Sequence, residues 1–172
     1  MLQNKLAMGV HVLQTVQKIP ADIEEVWDFF SRPDNLALIT PPEMNFAITS
    51  PNLSNKIYAG EIITYKIKPI AGISLTWVTE ITQVKDKAYF ADEQRKGPYA
   101  LWRHEHFFNQ IEGGVEMTDR VYYKIPMGLL GDIANPLFVY PKLKSIFTYR
   151  FKKIETLWGS WNDGKPGIIE FY

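Results

Sequence analysis

The sequence predicts an α+β fold: a curved antiparallel sheet of about six or seven strands wrapped round one long C-terminal helix, with two short helices after the first strand. Three observations lead there. From Pro136 to Trp158, the apolar residues Leu137, Tyr140, Leu143, Phe147, Phe151, Ile154 and Trp158 recur at steps of three and four. That spacing sets them on one side of a helix, with Lys142, Lys144, Lys152, Lys153 and Glu155 mostly on the other. At ~1.5 Å per residue the rod is roughly 33 Å long, enough to cross a small sheet. Most of the preceding chain alternates apolar and polar residues in short runs, the pattern of half-buried strands. The turns between these runs are short, which implies an antiparallel meander and not βαβ units.

In chain order, Met8 to Lys18 is a first strand carrying Val10, Val12, Leu13 and Val16. Pro20, Ala21 and Asp22 open a short helix whose apolar stripe is Ile23, Val26, Trp27 and Phe30; Asp22, Glu24 and Glu25 suit the positive end of its dipole. Ser31-Arg32-Pro33 breaks it, and Asp34 to Ile39 forms another turn or two before Thr40-Pro41-Pro42. Met44 to Thr49, Glu61 to Lys68, Ile73 to Val84, Ala88 to Gln94, Leu101 to Asn109 and Val115 to Lys124 follow as strands. The tail from Gly159 to Tyr172, with its Gly, Pro and Asp, is expected to be loosely held, with Ile168 and Ile169 able to dock. Pro141 poses a local difficulty, because one turn inside a helix starting at Pro136 it removes a hydrogen bond. Either the helix kinks there or it begins properly at Pro141. We place one domain over 8–159, with tails 1–7 and 160–172.

The chain has 172 residues, which suits a single core, and 46% of them are hydrophobic, a globular composition. Nineteen Lys and Arg balance nineteen Asp and Glu, so the basic footprint of a nucleic-acid binder is missing. Without cysteine there are no disulfides, thiolate metal sites or Cys nucleophiles. No apolar run reaches the ~18 residues of a transmembrane helix, and no signal-peptide stretch is present, so a cytoplasmic location is expected. No phosphate-binding GxxxxGK or GxGxxG occurs.

Four stretches carry a family resemblance: Ile19-Pro20-Ala21 with Val26-Trp27-Phe29-Phe30; Pro33 to Pro42 (PDNLALITPP); Gly97 to Phe107 (GPYALWRHEHF); and Tyr123 to Gly131 with Ile146 to Arg150. With the element order, they resemble the START-like superfamily (SRPBCC, polyketide cyclase and lipid transport) and its helix-grip fold, in the form of a small bacterial single-domain member. The resemblance implies an apolar ligand tunnel between helix and sheet. It transfers no reaction, since such folds serve carriers, cyclases, receptors and chaperone regulators alike.

The sharpest constellation lies in the last hairpin. Trp102, His104, His106 and Phe108 share one face of their strand, and Val115, Met117, Asp119, Val121 and Tyr123 share one face of the next. A two-residue turn at Glu112-Gly113 sets His106 opposite Asp119, whereas a turn at Gly113-Gly114 opposes Phe108 and Asp119. Three readings are open for His104, His106 and Asp119. The first is a satisfied buried network. The second is a polar contact orienting one end of an apolar ligand. The third is chemistry, as a His–Asp acid/base pair or a two-His-one-carboxylate metal site. The structural reading stands first, and no cofactor or metal is expected. His11 reads as an ordinary strand residue, and Trp27 as core. Arg150 lies on the helix among Phe147, Phe151 and Ile154; it could reach a carboxylate or an acidic ligand, but a stem along apolar surface with its head in water is favoured. Glu105 and Arg120 are expected to form an outer surface pair.

Trp77 and Trp102, mid-sheet, are tunnel-lining candidates together with His104, His106 and Asp119; Leu143, Phe147 and Phe151 form a lid on the tunnel. Pro33 to Pro42 and Tyr123 to Asn135, with Met127, Leu129 and Leu130, frame its mouth as either gate or plug. The expected function is therefore binding or carriage of an apolar small molecule (lipid, quinone-like or polycyclic). A cyclase or dehydratase using His104, His106 and Asp119 is the alternative, and a ligand-free protein-interaction module the third. The uncharged composition and apolar loop residues leave room for a homodimer.

Overall fold

The computed structural model describes residues 9–68, 73–126 and 135–172. Eight antiparallel strands form one sheet in the order β2-β3-β4-β5-β6-β7-β1-β8. They are β1 (His11–Ile19), β2 (Ala47–Ile48), β3 (Ile62–Ile67), β4 (Leu75–Lys85), β5 (Tyr89–Lys96), β6 (Leu101–Ile111), β7 (Gly114–Lys124) and β8 (Ile168–Phe171). Helix α1 (Ile23–Phe30) follows β1, and the long helix α2 (Tyr140–Trp158) precedes β8. The alternation visible in the sequence is realised most regularly in β7, where every second residue from Val115 to Tyr123 is buried. Between β4 and β5 the register slips at Val78/Thr79 and again at Ile81/Gln83. Such bulges bend a strand and raise its twist, which curves the sheet round the helix.

Where one turn or two of helix was expected from Asp34 to Ile39, the chain makes two 3-10 turns, Pro33–Ala37 and Pro42–Met44. The strand expected over Met44 to Thr49 shrinks to two residues. Pro141 sits in the first turn of α2, a position that tolerates its missing N–H, and Asn135–Val139 leads into it directly as a π-helical turn, with Val139 itself in helical conformation. This corrects the stripe as well: Leu137 faces solvent, and the buried face of α2 is Leu143, Phe147, Arg150, Phe151 and Ile154.

The tail is the larger correction. Expected to be loosely held from Gly159 with Ile168 and Ile169 able to dock, it returns to the sheet as a full strand, β8, that pairs with β1 from Leu13↔Phe171 to Val16↔Ile168. Phe171 lies against Tyr140 with ring centroids 3.6 Å apart, so apolar contact with α2 holds this edge. Trp27 is core as expected, edge-on to Phe108 and Phe90. One apolar cluster centres on α1 and a second, with Leu13, Val121, Tyr123, Val139, Leu143 and Phe147, lies under the start of α2. No helix among the described residues is long and apolar enough to cross a membrane.

Candidate functional site

The β6–β7 hairpin closes with Ile111 opposite Gly114, so Glu112-Gly113 is the two-residue turn and His106 stands opposite Asp119. The alternative register is excluded. Because inward side chains on β6 recur every second residue, His104 and His106 are neighbours, with ring centroids 3.8 Å apart. Phe90 of β5 stacks on His106 at 3.9 Å, and Phe147 of α2 meets His104 edge-on at 5.9 Å. His104 is thereby held between sheet and helix, and His106 between neighbouring rings of the sheet.

Each imidazole has a carboxylate on either side. On the β7 side, His104 Nε2 is bonded to Asp119 Oδ1 at 3.0 Å. His106 Nδ1 is 2.7 Å from the same oxygen, a close ion contact in which the ring N–H is not aligned for a hydrogen bond. Asp119 Oδ2 accepts from Arg150 Nη1 at 3.2 Å and from the Thr15 hydroxyl at 3.5 Å. On the β5 side, His106 Nε2 is bonded to Asp92 Oδ2 at 3.1 Å, and His104 Nδ1 lies 3.9 Å from that oxygen. His104, His106, Asp119 and Arg150 are all buried.

Burial alone would push the Asp119 carboxyl up, but Arg150 and the two histidines outweigh it and hold it well below the usual carboxylate range. Burial and the neighbouring His106 push His104 down. Burial opposes charge on His106 too, but its contacts with Asp119 and Asp92 prevail and raise it. Charge is therefore favoured on Asp119 and His106 and disfavoured on His104. A buried network balanced in this way satisfies the requirement that interior charge be paired.

In front of the cluster is a cavity with about 180 Å³ of space open to the centre of a water-sized sphere. Since a water needs on the order of 10–15 Å³ by this measure, the space exceeds a packing defect by about tenfold. Trp77, Trp102, His104, His106, Leu143 and Phe147 line it, as do Asp92 and Arg150. Asp119 and Phe151 do not: Asp119 stands behind the histidines, and the Phe151 ring lies next to Gly167, where any Cβ would meet it. Trp77 meets Trp102 edge-on at 5.3 Å, while its indole N–H donates to Thr79 at 3.1 Å, which fixes one aromatic wall. Arg32, Pro33, Asn35, Leu36, Ile39 and Thr40 line the end where the mouth was expected, and the half-exposed Arg32 marks where the cavity meets solvent. Met127, Leu129 and Leu130 lie outside the described residues.

Three sequence expectations change here. Arg150 turns inward to Asp119 and the cavity instead of reaching water, because a buried carboxylate is the better partner for a cation placed on the inner face of α2. The Glu105–Arg120 pair does not form: Glu105 accepts from Arg103 Nε at 3.1 Å, and Arg120 donates to Gln14 with its guanidinium 5.4 Å from the Phe107 ring. The carboxylate whose oxygen lies with the cavity-side nitrogens of both histidines is Asp92, unmarked in the sequence, and not Asp119. Oδ2 of Asp92 lies 3.9 Å from Nδ1 of His104 and 3.1 Å from Nε2 of His106, and one ligand atom from each of the three residues falls within 4.8 Å of the other two.

No protein-family model matches the chain, and neither does any curated protein sequence. Solved structures do match in shape. Protein CV1439 from Chromobacterium violaceum aligns with a TM-score of 0.61 at 14% identity, over 88% of this chain and 99% of that one. Protein Ms6760 from Mycobacterium smegmatis gives 0.60 at 17% identity, over 85% and 89%. Ara h 8.0201 gives 0.56 at 11% identity, over 86% and 99%. The fold is the helix-grip fold. At these identities the likeness is one of architecture, and what this helix-grip chain binds has to be argued from its own cavity.

Proposed function

We propose that this helix-grip domain binds a largely apolar small molecule, of lipid, quinone-like or polycyclic kind, in the space between the sheet and α2. One observation carries the reading: a cavity well above water size whose walls are mainly aromatic and aliphatic, with a buried polar cluster of Asp92, His104, His106 and Arg150 among its lining. Apolar walls supply affinity through the area they remove from water, and a few placed polar groups orient one end of the ligand. Solvent extraction of the purified protein followed by mass spectrometry should release such a molecule. An environment-sensitive apolar dye should bind saturably and be displaced by lipids, quinones or polycyclic compounds. Absence of any saturable dye binding overturns the reading.

A second reading, a cyclase or dehydratase, is favoured by the two histidines that face the cavity. His104, whose burial favours the neutral ring, stands beside His106, whose contacts with Asp119 and Asp92 favour the charged one, which offers a base and an acid within one pocket. Elimination of water from a β-hydroxy ketone that the cavity admits tests it. Turnover lost in His106→Gln with dye binding retained supports catalysis, and no turnover by the wild type removes it.

A further inference from the structure

We propose that Asp92, His104 and His106 bind a divalent transition-metal ion at the cavity wall. The three ligand atoms, Asp92 Oδ2, His104 Nδ1 and His106 Nε2, belong to paired strands, with Asp92 directly opposite His104 in the β5–β6 register. Two ligands at about 2.1 Å from a tetrahedral ion stand about 3.4 Å apart. The observed separations from Asp92 Oδ2, 3.1 and 3.9 Å, straddle that value, so small rotamer adjustments complete the site.

Asp119 is what orients the ligands. Its Oδ1 lies 3.0 Å from His104 Nε2 and 2.7 Å from His106 Nδ1, which favours a proton on each of those atoms and leaves His104 Nδ1 and His106 Nε2 as the nitrogens that face Asp92; a metal ion would take the place of the proton shared between His106 Nε2 and Asp92. A carboxylate that holds the far N–H of a liganding imidazole is the usual support of a metal-bound histidine. Without an ion, the arrangement sets the lone pair of His104 Nδ1 toward a carboxylate oxygen 3.9 Å away, two acceptors facing each other. A cation between them turns this repulsive contact into two bonds.

Two imidazoles and one carboxylate are borderline donors that suit Zn²⁺, Fe²⁺, Co²⁺ or Mn²⁺ and disfavour Mg²⁺ and Ca²⁺, which prefer all-oxygen sites. The remaining coordination positions open into the cavity, where a carbonyl, hydroxyl or carboxylate end of a bound molecule would reach the ion. The proposal rests on the three ligands and stands independently of what the apolar walls hold.

Co²⁺ is the probe, because its visible absorption reports coordination. Chelator-treated, dialysed wild-type protein titrated with Co²⁺ should develop saturable visible bands at one equivalent, and Zn²⁺ should bleach them. Asp92→Asn and His104→Gln should each weaken binding at least tenfold. Asp119→Asn, which acts through the histidines, should weaken it by about 10- to 100-fold while leaving all three ligands in place. Circular dichroism and thermal melts establish that each variant is folded. Asp92 is the least buried of these groups, and its amide is close to isosteric, so Asp92→Asn is the decisive variant if Asp119→Asn fails to fold. Folded wild type without a saturable spectrum overturns the site, and so does undiminished binding in Asp92→Asn. Dye binding followed in the same samples reports separately on the cavity.

Discussion

Arg150 of the long helix and Asp119 of β7 join helix to sheet through the interior, Nη1 to Oδ2 at 3.2 Å with both side chains buried. Asp119 is also the group on which both histidines converge, so this contact couples the seating of α2 to the geometry of the cavity wall.

Removing Arg150 leaves Asp119 with one cation fewer in a dry environment. Breaking a buried pair from one side costs roughly 3 to 5 kcal/mol, whereas replacing both partners is far cheaper. Arg150→Met should therefore lower unfolding stability by about 3 kcal/mol in urea titrations. Arg150→Met with Asp119→Asn should be distinctly less destabilised than the sum of the two single changes. Additivity would show that the two groups are not coupled.

Gly114 opens β7 at φ 157°, and a Cβ there would meet the Ile19 carbonyl oxygen, which is backbone and cannot turn aside. Gly114→Ala should cost roughly 1 to 3 kcal/mol by overpacking the junction of β1 and β7. Gly164→Ala serves as the control, because it also has positive φ but nothing within 4 Å of an added Cβ. A larger loss at Gly164 would contradict this account.

What was legible in the sequence was local. Period-two alternation on β6 and β7, with a two-residue Gly-containing turn, shows which residues face inward and narrows the partner of Asp119 to His106 or Phe108; the observed turn at Glu112-Gly113 selects His106. Asp92 could not be found that way. It lies on β5, where bulges against β4 break the count and both Phe90 and Ala91 are buried in succession. Arg150 was visible on the inner face of the helix, but its partner is 31 positions away, and no local rule chooses between that carboxylate and water. One clue was available: a buried Asp119 needs a counter-charge, and Arg150 is the guanidinium on the inner stripe of the long helix. The tail was hidden for a different reason, since four strand residues after a Gly/Pro/Asp stretch carry little periodic signal of their own.

That tail yields a prediction. Ending the chain at Gly167 removes the β1–β8 pairing, the two Val12–Tyr172 backbone bonds and the Phe171 ring from Tyr140. The loss should be at least about 1.5 kcal/mol, from half-buried Ile169 and Phe171. The truncated protein should also associate more readily, because β1 becomes an uncovered edge. Light scattering and thermal melts check both. An unchanged melting temperature would show that β8 is not held in solution.

Ile146 lines the cavity from α2 and is no member of the polar cluster. Ile146→Trp should fill part of the 180 Å³ and reduce apolar dye binding at least tenfold, at a stability cost of no more than about 3 kcal/mol. Binding left intact in the folded variant would mean that the dye sits elsewhere.

The two histidines should give opposite pH dependences in metal-free protein kept with chelator. His106 is raised in the folded state, so the stability it contributes is fully present below the unfolded value near 6.5 and fades as pH rises through its folded value. His104 is lowered, so its contribution is present above about 6.5 and fades as pH falls, because the unfolded chain takes up a proton that the folded chain refuses. Around pH 6.5 the two slopes partly cancel in the wild type. His106→Gln should then leave a protein that loses stability on acidification from pH 7 to 5.5, and His104→Gln one that loses it from pH 6.5 to 8. Below about pH 4 both should weaken together as Asp119, held low by Arg150 in the fold, keeps refusing a proton that the unfolded chain accepts. Urea unfolding at half-unit pH steps measures all three slopes. Slopes of the same sign in the two histidine variants would overturn the assignment of the charged ring to His106.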